Sequence, residues 1–88
     1  MRIRLHRKFK KSYKIRISLN KKLVLQTETR INLFKANLRN PLLENHELSG
    51  AKKGLDSFSV TGDIRITYMP ISEDEVIFMD IGSHNQVY

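Results

Sequence analysis

Four residues of this sequence have side chains that could do chemistry together: His46, Asp63, Arg65 and His84. Imidazoles titrate near neutrality, so one can take a proton while another gives one. A guanidinium presents a fixed fork that matches a phosphate. Two histidines and a cation therefore suffice for RNA cleavage without a metal. In that chemistry the 2′-hydroxyl attacks the adjacent phosphate, the 5′-oxygen leaves, and the cation faces the pentavalent phosphorane. The four residues come from three separate stretches of the sequence. His46 lies in the polar stretch "ENHELSG", Asp63 in the turn "TGD", Arg65 within "GDIRITY", and His84 just after the apolar run "VIFMDI". Their cooperation requires a fold that brings strand ends and one loop together.

Each residue also has a plainer account. His46 or His84 alone reads as a surface histidine. Arg65 alone reads as an exposed strand arginine paired with Asp63, Glu73 or Glu75. His6, beside a strand of arginines, reads as a surface residue. No two histidines share a helix face, no cysteine is present, and no HExxH pattern occurs, so the sequence offers no zinc site. No cofactor motif is found, and there is no Gly-rich phosphate loop. Ser57, Ser59, Ser72 and Ser83 stand in no nucleophile-elbow context.

The elements that must position these residues follow from periodicity. "RIRLH" alternates and predicts a short strand with Ile3 and Leu5 on one side. Phe9, Tyr13 and Ile17 then recur at i, i+4, i+8, the stripe of a basic amphipathic helix. Asn20 can cap a second helix, whose stripe is Leu23, Thr27, Ile31, Phe34 and Leu38. Pro41 is expected to stop it. "PLLENHELSGAKKG" reads as a loop. Three strands follow: one begun by Leu55, Phe58 and Val60, one with Ile64, Ile66 and Tyr68 opposite Arg65, and a central one from "VIFMDI". The expected class is α+β, ordered β-α-α-β-β-β, with a helical hairpin packed on one face of a mainly antiparallel sheet.

The 88 residues suffice for a single domain spanning 1–88. The opening stretch is charged and lacks a signal-peptide core, and no run approaches the ~20 apolar residues of a membrane helix. Absence of cysteine fits a reducing cytoplasm. The net charge of +7 is divided unevenly. Residues 1–40 hold 13 of the 16 Lys and Arg against one acid, a net +12. Residues 41–88 hold three bases against eight acids, a net −5. Such asymmetry suits a polyanionic partner, either nucleic acid or an acidic protein.

The ordered set "NHELSG", "GDIRITY", an acidic turn, an apolar strand and "GSHNQVY" resembles the RelE/ParE superfamily of bacterial toxins, nearest its YafQ-like branch of ribosome-dependent mRNA interferases. The likeness covers residues 45–88 by motif and the first half only by pattern. It implies the RelE/ParE-like fold, mRNA cleavage on the ribosome, and neutralisation by an acidic antitoxin. The free toxin would be a monomer and the antitoxin complex a hetero-oligomer. By matching position it assigns function to His46, Asp63 and His84, phosphate binding to Arg65, and base packing to Tyr88. Lys52 and Lys53, in the same segment, are expected to contact substrate. The sequence departs from the family at three places. Asp56 replaces a usual base and would repel RNA if it faced the groove. Ser59 replaces a frequent histidine, and Ile64 a frequent tryptophan. These departures lower the expected activity. Two alternatives stay open: a ParE-like gyrase inhibitor, and an impaired homologue that only binds RNA or antitoxin.

Overall fold

The structure, a computed structural model, describes residues 1–88. The elements are β1 (Arg2–Leu5), α1 (Arg7–Arg16), α2 (Lys21–Ala36), β2 (His46–Glu47), β3 (Asp56–Ser59), β4 (Ile64–Ser72), β5 (Glu75–Ser83) and a one-turn helix α3 (His84–Val87). The sheet order is β1-β5-β4-β3-β2, antiparallel except for β1, which runs parallel to β5. No helix is long and apolar enough to cross a membrane.

The helical hairpin covers one face of the sheet through a cluster of aromatic rings. Phe34 on α2 stacks on Phe58 of β3 at 4.4 Å between centroids and meets Tyr68 of β4 edge-on at 4.9 Å. Phe9 on α1 meets Phe78 of β5 at 5.4 Å. Ile17, Leu43, Ile66 and Ile81 complete the fully buried core. Phe78 and Ile81 share that core although three residues apart. Thr67 pairs with Asp80 and Tyr68 with Phe78, so Met79 is an extra residue in β5, and this bulge resets the alternation.

Local caps set the helix limits. The His6 Nδ1 accepts from the Lys8 amide at 3.0 Å, so the exposed histidine starts α1. The Asn20 side chain accepts from the Leu23 amide and starts α2. The second helix does not run on to Pro41, as the sequence predicts. It ends at Ala36 with Asn37 in an extended conformation, because Asn37 bonds its own following turn at the Arg39 amide. Pro41 instead begins a 3₁₀ turn, Pro41–Leu43.

The expected loop over 41–54 also holds a short edge strand. His46 pairs with Ser57 and Glu47 with Asp56, which adds β2 as a fifth strand. The residues after β5, to which the sequence pattern assigns no element, form α3. β5 is interior, between β1 and β4, but alternates buried and half-buried residues at Val76–Met79, so it is not fully covered on both faces.

Candidate functional site

Strand alternation decides which side chains meet. Ile66 and Tyr68 point to the helices, so Arg65 and Thr67 point to the opposite face. On that face Ser57 lies in register between His46 and Thr67, and Ser59 lies beside Arg65. The α3 turn folds over β4 and β5 here and buries Val87.

Five residues form a continuous string across this surface. The His84 and Tyr88 rings meet edge-on at 4.3 Å. The Tyr88 hydroxyl donates to Ser57 Oγ at 2.5 Å. Arg65 Nε donates to the same Oγ at 2.8 Å. Arg65 Nη2 donates to the Glu44 carbonyl oxygen at 3.0 Å and lies 3.4 Å from His46 Nδ1. Arg65 joins none of the three ion pairs, so the expected alternative partners Asp63, Glu73 and Glu75 do not neutralise it. Its positive charge faces the open surface with neutral partners only.

The His46 tautomer follows from its surroundings. Nδ1 is 2.9 Å from the Glu44 carbonyl oxygen, which can only accept. Nδ1 therefore carries the proton and donates. The contact with Arg65 Nη2, itself only a donor, is packing rather than a second hydrogen bond. In the neutral ring the lone pair sits on Nε2, free to take a proton from a ligand. The Glu44 carbonyl thus orients both His46 and Arg65. Glu44 itself is left-handed, at φ 47° and ψ 42°, a conformation costly for a residue with a side chain.

The other sequence-derived candidates divide. Asp63 is exposed in the β3–β4 turn, its amide bonded to Thr61 Oγ1 at 3.2 Å. The β4–β5 ladder ends at Ile64 and Ser83, one residue short of both Asp63 and His84, and no hydrogen bond or ion pair joins those two side chains. Lys52 and Lys53 lie away from the string, in the turn between β2 and β3, with Lys52 half-buried and Lys53 exposed. No three His, Asp or Glu side chains converge at metal-binding distance.

The departures from the family pattern also find their places. Asp56 pairs in register with Tyr68, so alternation turns it away from Ser57 and Arg65. It lines a cleft of about 630 Å³ with Asn45, Glu47 and Tyr68, which meets the string at His46. The carboxylate expected to oppose RNA in the groove is therefore on the other side of the strand. Burial, then the Glu47 charge, push the Asp56 carboxyl above its ordinary pKa, against the opposing pull of Tyr68 and His46. Burial, foremost, pushes the Tyr68 phenol up to about 12, and its hydroxyl donates to Asn45 Oδ1 at 2.8 Å. Ser59 is buried and bonds the Thr61 carbonyl oxygen at 2.7 Å, closing its own turn. Ile64 is half-buried against the core.

Sequence reasoning missed Ser57 and Glu44. Ser57 carried a weak signal, since alternation from Phe58 puts it on the Arg65 face. Glu44 contributes a carbonyl, and no residue type announces that. The "GSHNQ" segment is better explained than the sequence alone allows. A Cβ on Gly82 would lie 2.6 Å from Gln86 Oε1 and 2.7 Å from Arg16 Nη1, so a larger residue there would displace both side-chain ends from their hydrogen bonds. Gln86 Oε1 accepts from the Ser83 amide at 2.7 Å and sets the turn that carries His84.

No family model and no curated protein matches the sequence. Solved structures do match in shape. A mutant of YafQ from E. coli superposes with a TM-score of 0.81 at 19% identity, over 100% of this chain and 99% of that one. YafQ in the E. coli DinJ–YafQ complex gives 0.79 at 20% identity, over 100% and 99%. A YoeB/ParE toxin from Agrobacterium tumefaciens gives 0.77 at 18% identity, over 96% and 99%. The chain therefore has the RelE/ParE-like toxin fold, in the form seen in YafQ and the YoeB/ParE toxin.

Proposed function

We propose that this protein is the toxin of a toxin–antitoxin pair and that it cleaves mRNA on the ribosome by acid–base chemistry. The observation that carries the reading is the string His46–Arg65–Ser57–Tyr88–His84, which gathers two imidazoles around a guanidinium that no carboxylate neutralises. A buried or half-buried arginine without a counter-ion is costly unless an anion arrives. A phosphodiester meets that need.

In the proposed reaction His46 Nε2 takes the proton of the 2′-hydroxyl. The 2′-oxygen bonds to phosphorus, and Arg65 stabilises the phosphorane charge. The bond from phosphorus to the 5′-oxygen breaks, and the His84 imidazolium protonates that oxygen. The products are a 2′,3′-cyclic phosphate and a 5′-hydroxyl. Tyr88 aligns the base beside the scissile bond, and Lys52 and Lys53 hold flanking phosphates.

An acidic antitoxin is the second proposed partner. The DinJ–YafQ complex pairs a toxin of this shape with another protein. The exposed Lys10, Lys11 and Lys14 of α1 enter no ion pair and offer an acidic chain its contacts.

The test is a gel assay of mRNA with translating ribosomes, run beside a gyrase supercoiling assay. Ribosome-dependent cuts without gyrase inhibition are expected. Gyrase inhibition without cuts would favour a ParE-like toxin instead.

A further inference from the structure

Ser57 is fully buried in β3, yet its hydroxyl ties together two separate parts of the proposed site, β4 and the C-terminal turn. It accepts from Arg65 Nε at 2.8 Å and from the Tyr88 hydroxyl at 2.5 Å. With the Glu44 carbonyl oxygen on Nη2, the side edge of the guanidinium, formed by Nε and Nη2, is fully engaged. Nη1 donates to no protein acceptor. The end edge, Nη1 with the second Nη2 proton, is the one left for a ligand, and it is a two-pronged donor of phosphate shape. Tyr88 in turn closes α3, its amide donating to the His84 carbonyl at 3.0 Å and its ring lying against the His84 ring.

We propose that Ser57 is a positioning residue that orients Arg65 toward the phosphate and pins the C-terminal turn carrying His84 with the same hydroxyl. The role rests on the nuclease reading for its catalytic consequence but not for its geometry. Loss of the hydroxyl frees two groups at once. The guanidinium can then rotate its side edge outward, and Tyr88 loses its anchor. Because one oxygen serves both, removing it and removing the Tyr88 hydroxyl break the same link.

The experiment compares wild type, Ser57→Ala, Tyr88→Phe and the double variant. Ser57→Ala removes only an oxygen and leaves the core intact. Its single-turnover cleavage of programmed ribosomes should fall roughly 10–100-fold, the scale of a misaligned reacting group, with the half-saturating ribosome concentration little changed. The double variant should be no slower than the slower single variant. Independently of cleavage, the Arg65 Nε–H resonance should exchange with solvent faster in Ser57→Ala. Its shift on titration with inorganic phosphate should then need several-fold more phosphate. An unchanged rate, unchanged Nε–H exchange, or singles whose losses multiply in the double variant would overturn the proposal. If wild type cuts no programmed ribosome, the nuclease reading fails by itself, and the exchange and phosphate measurements still decide the role of Ser57.

Discussion

Arg65 Nη2 lies 3.0 Å from the Glu44 carbonyl oxygen, so a strand arginine is held by a backbone atom of a left-handed residue two elements away. Neither partner is a carboxylate, and the arginine keeps its full charge for an incoming anion. A lysine cannot reproduce this, since it lacks the planar fork. Arg65→Lys is expected to fold normally and to lower single-turnover cleavage by roughly 10²–10³-fold, the usual loss for one transition-state donor. A rate within a few-fold of wild type would mean that the fork is not used.

Asp56 has a folded pKa above its ordinary value of 3.8, so the folded protein binds that proton more tightly than the unfolded chain does. Ionised, it costs stability. The cost is absent below pH 3.8 and appears as the pH rises through the folded pKa. Asp56→Asn should therefore raise Tm at neutral pH, and the gain should vanish in acid. Thermal melts of both proteins from pH 3 to pH 7 check the sign. Changing the same position to Arg should leave Arg65 undisturbed, because Asp56 faces Tyr68, and should act on cleavage only through the neighbouring His46.

Asp80 is buried and receives Arg16 Nη1 at 3.3 Å and Lys8 Nζ at 3.6 Å. These contacts tie both ends of α1 to β5. Asp80→Asn should cost about 1.5–3 kcal/mol, the range for hydrogen bonds to charged groups. Urea unfolding should show a lower midpoint at unchanged slope.

Charge reversal on α1 tests the second partner. Lys10→Glu, Lys11→Glu and Lys14→Glu together should slow association with an acidic antitoxin peptide and flatten its salt dependence. Stopped-flow mixing at low and moderate salt measures both. Unaltered association at low salt would move the antitoxin contact elsewhere.

The helices, the sheet strands and the residues of the open face were legible because period and alternation report burial directly. Phe9, Phe34, Phe58 and Tyr68 all bury where their spacing puts them. The two-residue strand β2 was not legible, since it exists only through its pairing with β3 across the following connection and not through a pattern of its own. The bulge at Met79 was hidden for a similar reason, because it exists only relative to β4. The basic first half was read as a charged face, and part of it is structural. Arg16 donates to the Ile81 carbonyl oxygen at 2.9 Å, and Arg30 to those of Leu42 and Ser59 at 2.8 and 3.1 Å. Charge counts cannot distinguish a guanidinium spent on backbone from one left for a partner. Ser57 escaped notice because a buried serine in a strand has no motif until its two donors are placed around it.

The central claim is that His46 and His84 are the proton-transfer pair around Arg65. Single-turnover cleavage of a programmed ribosome by His84→Gln and by His46→Gln tests it most directly. Each variant should bind the ribosome as wild type does and cleave roughly 10²–10⁴-fold more slowly, the range for one general acid or base. Cleavage by either variant at the wild-type rate, with ribosome binding intact, would contradict the account.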